Sequence, residues 1–365
     1  MNGRLAIQNG DTLGAIRQLL RAVLASGTVD GVLVPLRHPA GDAVTPALVK
    51  DPAKLDLADP LAPVLPVSGA RLVSMLTWRA PRPRVAAVLR NCEIRALVEL
   101  VKLQQASTEG LTIIGIDCLG TYEVQDYARL AKGAPSDLSG LREADLTGLG
   151  NLRPACQMCE HPAPTLADIT IHRIGVDGAA LSVETKPEWA GKLGLTDGDG
   201  APGRAAALQK LVAERTAYRD QVFADMAEKT ATPAALANLF STCLRCHNCM
   251  TNCPICYCKT CFFKTEVFDH EPIQILNWAE RKGATRLPSD TVLFHLTRLN
   301  HMSTSCVGCG LCTSACPVDI PVGAAFRTVA AHTQKIFDYE AGRSFDETPP
   351  VKTFKVEELQ VVGEK

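Results

Sequence analysis

Apolar residues in the first half of the chain alternate between the spacing of a helix and that of a buried strand. Leu13, Ile16 and Leu20 recur every three or four positions and predict a helix. Asp11 can cap this helix at its N-terminus, and Gly27 can end it. Continuous apolar runs rich in β-branched residues, typical of buried strands, occupy residues 31–35, 85–89 and 111–116. The alternation predicts an α/β domain.

The last third of the chain carries two copies of the pattern C-x2-C-x2-C-x3-C-P. In this pattern three thiolates bind one 4Fe-4S cluster, and the cysteine before proline binds the cluster of the other copy. A structural zinc site takes four ligands, usually as two separated pairs, and fits this spacing poorly. The sequence therefore predicts two 4Fe-4S clusters with crossed ligands and a role in electron transfer. The predicted ligands are Cys243, Cys246, Cys249 and Cys253 in the first copy and Cys306, Cys309, Cys312 and Cys316 in the second.

Turn-rich and helical segments divide the rest of the chain. Residues 193–204 are rich in Gly, Asp and Pro and predict a loop at a domain boundary, after which the pattern is helical. The predicted fold class is α+β, with an N-terminal α/β domain followed by a helical, ferredoxin-like domain. We expect the α/β domain at 1–190, a linker and helical connector at 191–240, the two-cluster domain with a helical insertion at 241–335, and an extended tail at 336–365.

Composition and charge narrow the class of protein. The 365 residues are 46% hydrophobic, as in ordinary globular proteins. No apolar run approaches the roughly 20 residues that cross a bilayer, and the N-terminus lacks the pattern of a secretory signal. We therefore expect a soluble, cytoplasmic protein without direct membrane insertion, in a compartment where thiols stay reduced. A net charge of -1 argues against nucleic-acid binding.

Four further cysteines lie in the predicted α/β domain. Cys92 follows one predicted strand and opens a helix, and Cys118 ends the next strand. Ligands bind at the carboxyl ends of parallel strands in an open α/β sheet, and a helix N-terminus favours an anionic group. Cys156 and Cys159 form a C-x2-C pair in a proline-flanked loop. This set predicts a third 4Fe-4S cluster, with scattered core cysteines or a zinc site as the alternatives.

Three more cysteines, Cys256, Cys258 and Cys261, stand directly behind the first ferredoxin-type run. One interpretation makes them ligands of a fourth metal centre that another residue or a partner completes. The other makes them unligated thiols beneath the clusters, with neighbouring aromatic rings that shield the clusters from water. Those rings are Tyr257, Phe262 and Phe263. The sequence leaves both interpretations open.

A polar face precedes the second ferredoxin-type run. His295, Arg298 and His301 are spaced by three residues in a helical pattern and share one side of the helix. A solvated polar face is the simplest interpretation. A partner-facing stripe and hydrogen-bond donors near a cluster are the alternatives.

Four segments resemble the beta-subunit family of coenzyme F-420 hydrogenases and formate dehydrogenases. Three of them lie in the α/β domain, namely VLRNCEIRALVELVKLQQ, IIGIDCLGTYE and RPACQMCEHPAPTLADITI. The fourth, FHLTRLNHMSTSCVGCGLCTSACP, is similar to the second cluster stretch of formate dehydrogenase beta subunits and heterodisulfide-reductase-type proteins. The resemblance covers roughly residues 80–175 and 240–325.

The resemblance implies a flavin-bearing electron-transfer subunit. Members of the family hold FAD in the α/β domain beside a 4Fe-4S cluster, which the four cysteines of that domain would bind here. The strand-end loops would supply the flavin contacts, on Arg90, Asn91, Asp117 and Thr121. No G-x-G-x-x-G motif follows a strand, so flavin binding rests on the resemblance. For Arg90 and Asp117 an ion pair at the surface or supporting the cluster is the alternative.

The leading interpretation is an oxidoreductase subunit of a larger redox complex. Its FAD would exchange hydride with a soluble carrier, coenzyme F-420 by the resemblance, and pass single electrons through the clusters. The resemblance suggests formate dehydrogenase, hydrogenase or a heterodisulfide-reductase-like module as the catalytic partner, and a ferredoxin as another soluble partner. A pure iron-sulfur relay without its own hydride substrate is the alternative. A redox-sensing regulator is disfavoured, because the sequence has no DNA-binding motif or basic patch.

Overall fold

The computed structural model describes residues 2–133, 151–176, 178, 180–198, 201–284 and 288–353. Within these residues, eight strands form one mixed sheet: β1 (Asn2–Ala6), β2 (Gly31–Arg37), β3 (Val44–Val49), β4 (Val85–Arg90), β5 (Leu111–Ile116), β6 (Ile169–His172), β7 (Ala180–Thr185) and β8 (Thr196–Asp197). Their order across the sheet is β3-β2-β4-β5-β6-β7-β1-β8. Strands β2, β4, β5 and β6 run parallel, and the other strands extend both edges in antiparallel pairs.

The helices of the described residues cover the sheet and build the C-terminal half. They are α1 (Thr12–Ala25), α2 (Gly69–Thr77), α3 (Asn91–Lys102), α4 (Val124–Gly133), α5 (Pro154–Gln157), α6 (Arg204–Thr230), α7 (Pro233–Leu239), α8 (Asn248–Thr251), α9 (Pro272–Lys282), α10 (Thr291–Met302), α11 (Leu311–Ser314) and α12 (Val322–Ile336). Short 3-10 turns lie at Pro52–Leu57, Pro187–Trp189, Phe262–Lys264 and Glu266–Phe268. None of these helices is long and apolar enough to cross a bilayer.

Strand β4 sends its side chains alternately into two hydrophobic cores. Ala86 and Val88 pack with α1 on one face, whereas Ala87 and Leu89 pack with α2 and α3 on the other. The second core continues without a break into the C-terminal half. Its members there include Phe240, Phe294 and Phe326. The helices that carry the cysteine runs are therefore packed onto the sheet through α3.

Local predictions agree with the structure where the sequence pattern is strong. Asp11 caps α1, accepting a hydrogen bond from the Gly14 backbone N–H at 2.8 Å. The three predicted strands are present as β2, β4 and β5, and the predicted connector helix is α6. The insertion between the cysteine runs holds helices α9 and α10, as expected. Strands β1, β3, β6, β7 and β8 were not predicted, because polar residues or proline interrupt or replace an apolar run in each of them.

The segment after α12 was expected to be an extended tail, but its first part folds back onto α3. Tyr339 and Ala341 are 6% and 0% exposed. The fully buried Glu99 carboxylate accepts hydrogen bonds from the Tyr339 hydroxyl at 2.6 Å, the Gly342 N–H at 2.8 Å and the Lys102 ammonium at 3.2 Å. This buried polar network fixes the position of the segment, and no sequence pattern predicted it. Residues 354–365 lie outside the described part of the chain.

Replacement of Glu99 tests this network. Glu99→Ala is expected to lower the free energy of unfolding by about 3–5 kcal/mol, because it leaves the Lys102 ammonium buried without its nearest carboxylate. Urea unfolding under anaerobic conditions, followed by tryptophan fluorescence, measures the change. The matched control is Glu109→Ala in the surface pair with Arg82, where the Glu109 side chain is 73% exposed. That substitution is expected to cost less than about 1 kcal/mol, and equal costs would contradict the role of Glu99.

Candidate iron-sulfur and flavin sites

The third predicted ligand set comes together at the carboxyl edge of the parallel strands. Cys92 lies in the first turn of α3 directly after β4, and Cys118 follows β5. Cys156 lies in α5, and Cys159 stands just beyond it. Burial raises the pKa of Cys92, and the charges of Cys118, Cys309 and Cys159 add to this effect. Burial raises the pKa of Cys118 too, with contributions from Cys156 and Cys159. Cys118 and Cys159 are therefore within electrostatic reach of Cys92, and Cys156 and Cys159 are within reach of Cys118.

Arg153 extends from this ligand set to the C-terminal half. It is 3% exposed, and its Nε donates to Thr121 Oγ1 at 2.8 Å. Its Nη2 lies 3.3 Å from the Cys309 carbonyl oxygen and 3.7 Å from Cys156 Sγ. Burial alone would raise the pKa of Cys156, but the Arg153 charge and hydrogen bonds from Thr121 bring it below its ordinary value. The guanidinium therefore favours a thiolate where burial disfavours one.

The loop of Cys156 lies directly against the second ferredoxin-type run. Gly310 has a φ of +73°, and a Cβ there would lie 2.1 Å from Cβ of Ala155, so only glycine permits this approach. Arg327 on α12 donates to the Met158 carbonyl oxygen at 2.6 Å and to the Glu160 carboxylate at 3.0 Å. These contacts hold the third ligand set next to the two-cluster region.

In the first ferredoxin-type run, the thiols also face a cysteine of the second run. Burial raises the pKa of Cys249, Arg298 offsets part of this effect, and the charges of Cys243, Cys246 and Cys316 add to it. Burial raises the pKa of Cys243 as well, and Cys316 is the first of the thiolates that contribute. Cys316 thus acts on the run to which it does not belong in sequence.

The converse holds for Cys253, the fourth cysteine of the first run. Burial raises the pKa of Cys309 to about 12, and the charge of Cys253 is the next contribution. Burial likewise raises the pKa of Cys312 and of Cys306, and Cys253 is again the first thiolate that contributes to each. Cys316 thus acts electrostatically on the first run and Cys253 on the second, as a crossed cluster pair would require; the crossed arrangement and the assignment of individual ligands stay predictions.

Two buried side chains on α10 contact the first run. Arg298 Nη1 donates to Cys249 Sγ at 3.1 Å, and Nη2 donates to the Cys249 carbonyl oxygen at 3.2 Å. His295 Nε2 lies 3.4 Å from Cys243 Sγ, and its ring stacks on Phe240 with the centroids 3.7 Å apart. Burial lowers the pKa of His295 to about 3, so its imidazole is neutral at pH 7. The interpretation as a solvated polar face is therefore wrong for these two residues.

Arg90 and Asn91 close the N-terminus of α3, next to Cys92. The Arg90 N–H donates to Glu93 Oε2 at 2.9 Å, which caps the helix. Asn91 Nδ2 donates to the His161 carbonyl oxygen at 3.3 Å. Asn91 Oδ1 is buried and has no hydrogen-bond partner among the described residues. This acceptor is available to a donor group of a bound ligand.

Asp117, another predicted flavin contact, binds protein groups. Its carboxylate accepts from the N–H groups of Arg173 and Ile174 at 2.8 and 3.0 Å, and it pairs with Arg204. Burial alone would raise the pKa of Asp117, but the hydrogen bonds and the Arg204 charge lower it to about 2. An ion pair is present here, as one interpretation expected, with Arg204 rather than Arg90 as the cation. Thr121, the fourth predicted contact, is engaged with Arg153.

Sequence reasoning offered Arg298 as a donor near a cluster among its alternatives, but it missed Arg153 and Arg327. Arg153 stands three positions before Cys156, and this closeness was the available signal. Arg327 lies in α12, far along the chain from the residues it contacts, and nothing in the sequence marks it. Across the described part of the chain, no three His, Cys, Asp or Glu side chains converge closely enough to hold a single metal ion.

A family model described as a 4Fe-4S dicluster domain matches residues 239–320. The matched segment contains both ferredoxin-type runs. The chain therefore carries an iron-sulfur dicluster domain. Together with the mixed sheet and its helices, this match confirms the predicted α+β fold class with a C-terminal two-cluster region.

Known proteins similar to this chain include two formate dehydrogenase subunits. The F-420-dependent formate dehydrogenase subunit beta of Methanocaldococcus jannaschii is 24% identical, over 90% of this chain and 91% of its own length. The F-420-dependent formate dehydrogenase 1 subunit beta of Methanococcus maripaludis is 26% identical, over 94% of each chain. A chain of the F-420-reducing [NiFe] hydrogenase complex from Methanosarcina barkeri aligns at 14% identity with a TM-score of 0.43, covering 62% of this chain and 92% of that one. The predicted resemblance to the beta subunits is confirmed by the two relatives, which match along nearly the whole chain.

Proposed function

We propose that this protein is an electron-transfer oxidoreductase subunit, in which three 4Fe-4S clusters connect a flavin in the α/β domain to a catalytic partner. The observation that carries the proposal is the contact between the third ligand set and the second ferredoxin-type run. The charge of Cys309 acts on Cys92, and Arg153 contacts both Cys156 and the Cys309 carbonyl oxygen. The proposed order of ligand sets runs from the sheet edge to the dicluster domain. In that order they are Cys92, Cys118, Cys156 and Cys159; then Cys253, Cys306, Cys309 and Cys312; then Cys243, Cys246, Cys249 and Cys316.

FAD is proposed to bind at the carboxyl end of β4, beside the third ligand set. In support, Asn91 Oδ1 offers a buried acceptor without a partner among the described residues, and Arg90 supplies a buried positive charge. A flavin accepts two electrons as hydride and releases them singly. The chain itself would orient the ring edge and exclude water there, since Arg90 and Asn91 are 7% and 3% exposed.

A cavity near the third ligand set is a poorer flavin site. It has a volume of about 720 Å³, large enough for a nucleotide cofactor. Glu123, Asp126 and Asp319 are among its lining residues. These carboxylates would repel the diphosphate of FAD, so the proposed flavin position stays at Arg90 and Asn91.

The proposed hydride carrier is coenzyme F-420, and the proposed partner is a formate dehydrogenase catalytic subunit. Support comes from the names of the two curated relatives, both F-420-dependent formate dehydrogenase beta subunits. Cys246 is exposed, in contrast to the buried Cys249 of the same run. The ligand set of Cys246 is therefore the proposed exit to the partner. The proposed location is the cytoplasm, where thiols stay reduced.

A pure iron-sulfur relay is the second candidate function. It is favoured by the contacts of Asp117 and Thr121, which are engaged with Arg204 and Arg153 inside the protein. Two of the four predicted flavin contacts are thereby committed to other groups. Flavin content separates the relay from the leading proposal.

Anaerobically purified protein is expected to contain about one FAD per chain, and reduced coenzyme F-420 is expected to bleach its visible absorption. The double substitution Cys156→Ser/Cys159→Ser is expected to remove about four irons per chain, because it breaks the third ligand set. Iron, sulfide and flavin assays on one sample measure both effects. The Glu109→Ala variant, altered only at the surface, should match the wild type. If the protein contains its full iron but no flavin, and reduced coenzyme F-420 does not bleach it, the result contradicts the flavin proposal and supports the pure relay.

Arg298 is expected to raise the reduction potential of the dicluster domain. Its cation faces Cys249, Cys253 and Cys312, which come from both predicted clusters, and reduction adds negative charge beside it. Arg298→Gln should lower a midpoint potential by on the order of 60 mV, a tenfold change in a one-electron equilibrium. A redox titration followed by EPR measures the shift.

Two controls separate the Arg298 charge from a folding effect. Arg298→Lys keeps the charge and loses the planar fork, so a smaller shift is expected. Lys229→Gln removes a surface charge that pairs with Asp225 on α6 and should leave the potentials unchanged. If Arg298→Gln binds its full iron and keeps the wild-type potentials, the charge has no such role.

A further inference from the structure

Three thiols remain outside the three ligand sets. Cys256, Cys258 and Cys261 are spaced C-x-C-x2-C in the loop directly behind Cys253. The Cys256 N–H donates to the Cys253 carbonyl oxygen at 3.3 Å, and Cys256 and Cys258 line one cavity together with Met250. Cys261 Sγ lies 3.5 Å from Met250 Sδ. Cys258 is exposed, and the other two are half-buried. The loop therefore places its three cysteines around one cavity at the protein surface.

The interpretation of these residues as a water shield does not fit the structure. Tyr257 and Phe262 are 40% and 58% exposed, so these two rings do not seal the clusters. Phe263 is buried and packs edge-on against Phe294, with the ring centroids 5.1 Å apart. An exposed thiol such as Cys258 is also not the small buried hydrophobe that an unligated cysteine usually is. The thiols of this loop need another explanation.

A cavity of about 370 Å³ opens beside the loop, next to α2. Cys256 and Cys258 form part of its wall. Its charged lining residues are Arg71, Lys259 and Lys264, and its described lining contains no Asp, Glu or His. Clustered positive charge favours an anion over a cation in the cavity.

We propose that Cys256, Cys258 and Cys261 bind a fourth 4Fe-4S cluster, whose remaining iron faces the cavity and takes an anionic, non-protein ligand. The proposal extends the proposed electron-transfer function and rests on it. Three sulfurs leave one iron of a cube without a cysteine, and the cationic cavity wall supplies no protein group to complete it. The same cations offset the negative charge that three thiolates bring to the site.

Zinc is the competing metal, because thiolates bind both zinc and iron-sulfur clusters. A structural zinc site is closed by four protein ligands, and the described cavity lining offers no histidine or carboxylate as the fourth. The residues next to the loop favour an iron-sulfur cluster over zinc. The loop begins at Cys253, a predicted ligand of the adjacent cluster, and the Arg298 cation faces Cys256 as well as Cys253. A cluster in the loop would therefore lie on the electron path.

Iron and acid-labile sulfide counts test the fourth cluster, after anaerobic reconstitution of the full chain with iron and sulfide. Cys258→Ser/Cys261→Ser is expected to lose about four irons and four sulfides per chain relative to the wild type. Tyr257→Phe/Thr260→Ala changes the same loop, keeps every thiol, and should keep the wild-type count. Cys156→Ser/Cys159→Ser removes a separate set of irons, so failure of the third cluster and failure of the fourth are distinguished.

Cyanide probes the open iron, because it binds an iron that lacks a protein ligand. It is expected to change the EPR spectrum of the reduced wild type and of Tyr257→Phe/Thr260→Ala, and to leave Cys258→Ser/Cys261→Ser unchanged. An unaltered iron count in Cys258→Ser/Cys261→Ser overturns the cluster. The cluster is also overturned if the wild type contains one zinc per chain and Cys258→Ser/Cys261→Ser loses it. A full iron loss with no cyanide effect in the wild type overturns the open position.

Discussion

Burying thiolates requires positive charge beside them, and much of this structure follows from that requirement. Burial raises the pKa of Cys92, Cys309 and Cys312, so bare thiolates there would be unfavourable. Arg153 and Arg298 are buried beside the sulfurs, and their positive charge offsets part of this unfavourable free energy. Arg298 places its two Nη atoms on Cys249 Sγ and on the Cys249 carbonyl oxygen. Arg153 Nη2 contacts Cys156 Sγ and the Cys309 carbonyl oxygen.

The same requirement joins the two halves of the molecule. Arg153 belongs to the α/β half, and one of its acceptors, the Cys309 carbonyl oxygen, belongs to the dicluster domain. Arg327 makes the reverse connection, from α12 to the Met158 carbonyl oxygen. Gly310 then lets the two loops meet without a Cβ between them. These contacts hold the two halves directly against each other, as the proposed electron path through both would require.

The sequence predicted what is encoded locally. The α1 stripe, the strands at the sheet centre and the cysteine spacing each depend on residues within about one element of each other. Long-range strand pairing was not predicted. Strand β1 lies between β7 and β8, which are nearly two hundred residues away in sequence. The contacts of Glu99 with Tyr339 and Gly342 were not predicted either, because they also join residues far apart in sequence. The flavin contacts were the weakest prediction, because no local phosphate-binding motif supports them, and two of the four residues serve internal networks.

The predicted ligand sets at the two ends of the molecule differ in their exposure to solvent. The third set begins on α3, whose outer side is covered by the segment around Tyr339, and its Cys156 is buried. The set at the other end contains the exposed Cys246, next to Leu244, which is 61% exposed. A hydride site needs water excluded, whereas a site that passes electrons to another protein needs close approach. The covered end therefore suits the proposed flavin and the exposed end suits the proposed partner, with the second ferredoxin-type run between them in the proposed order.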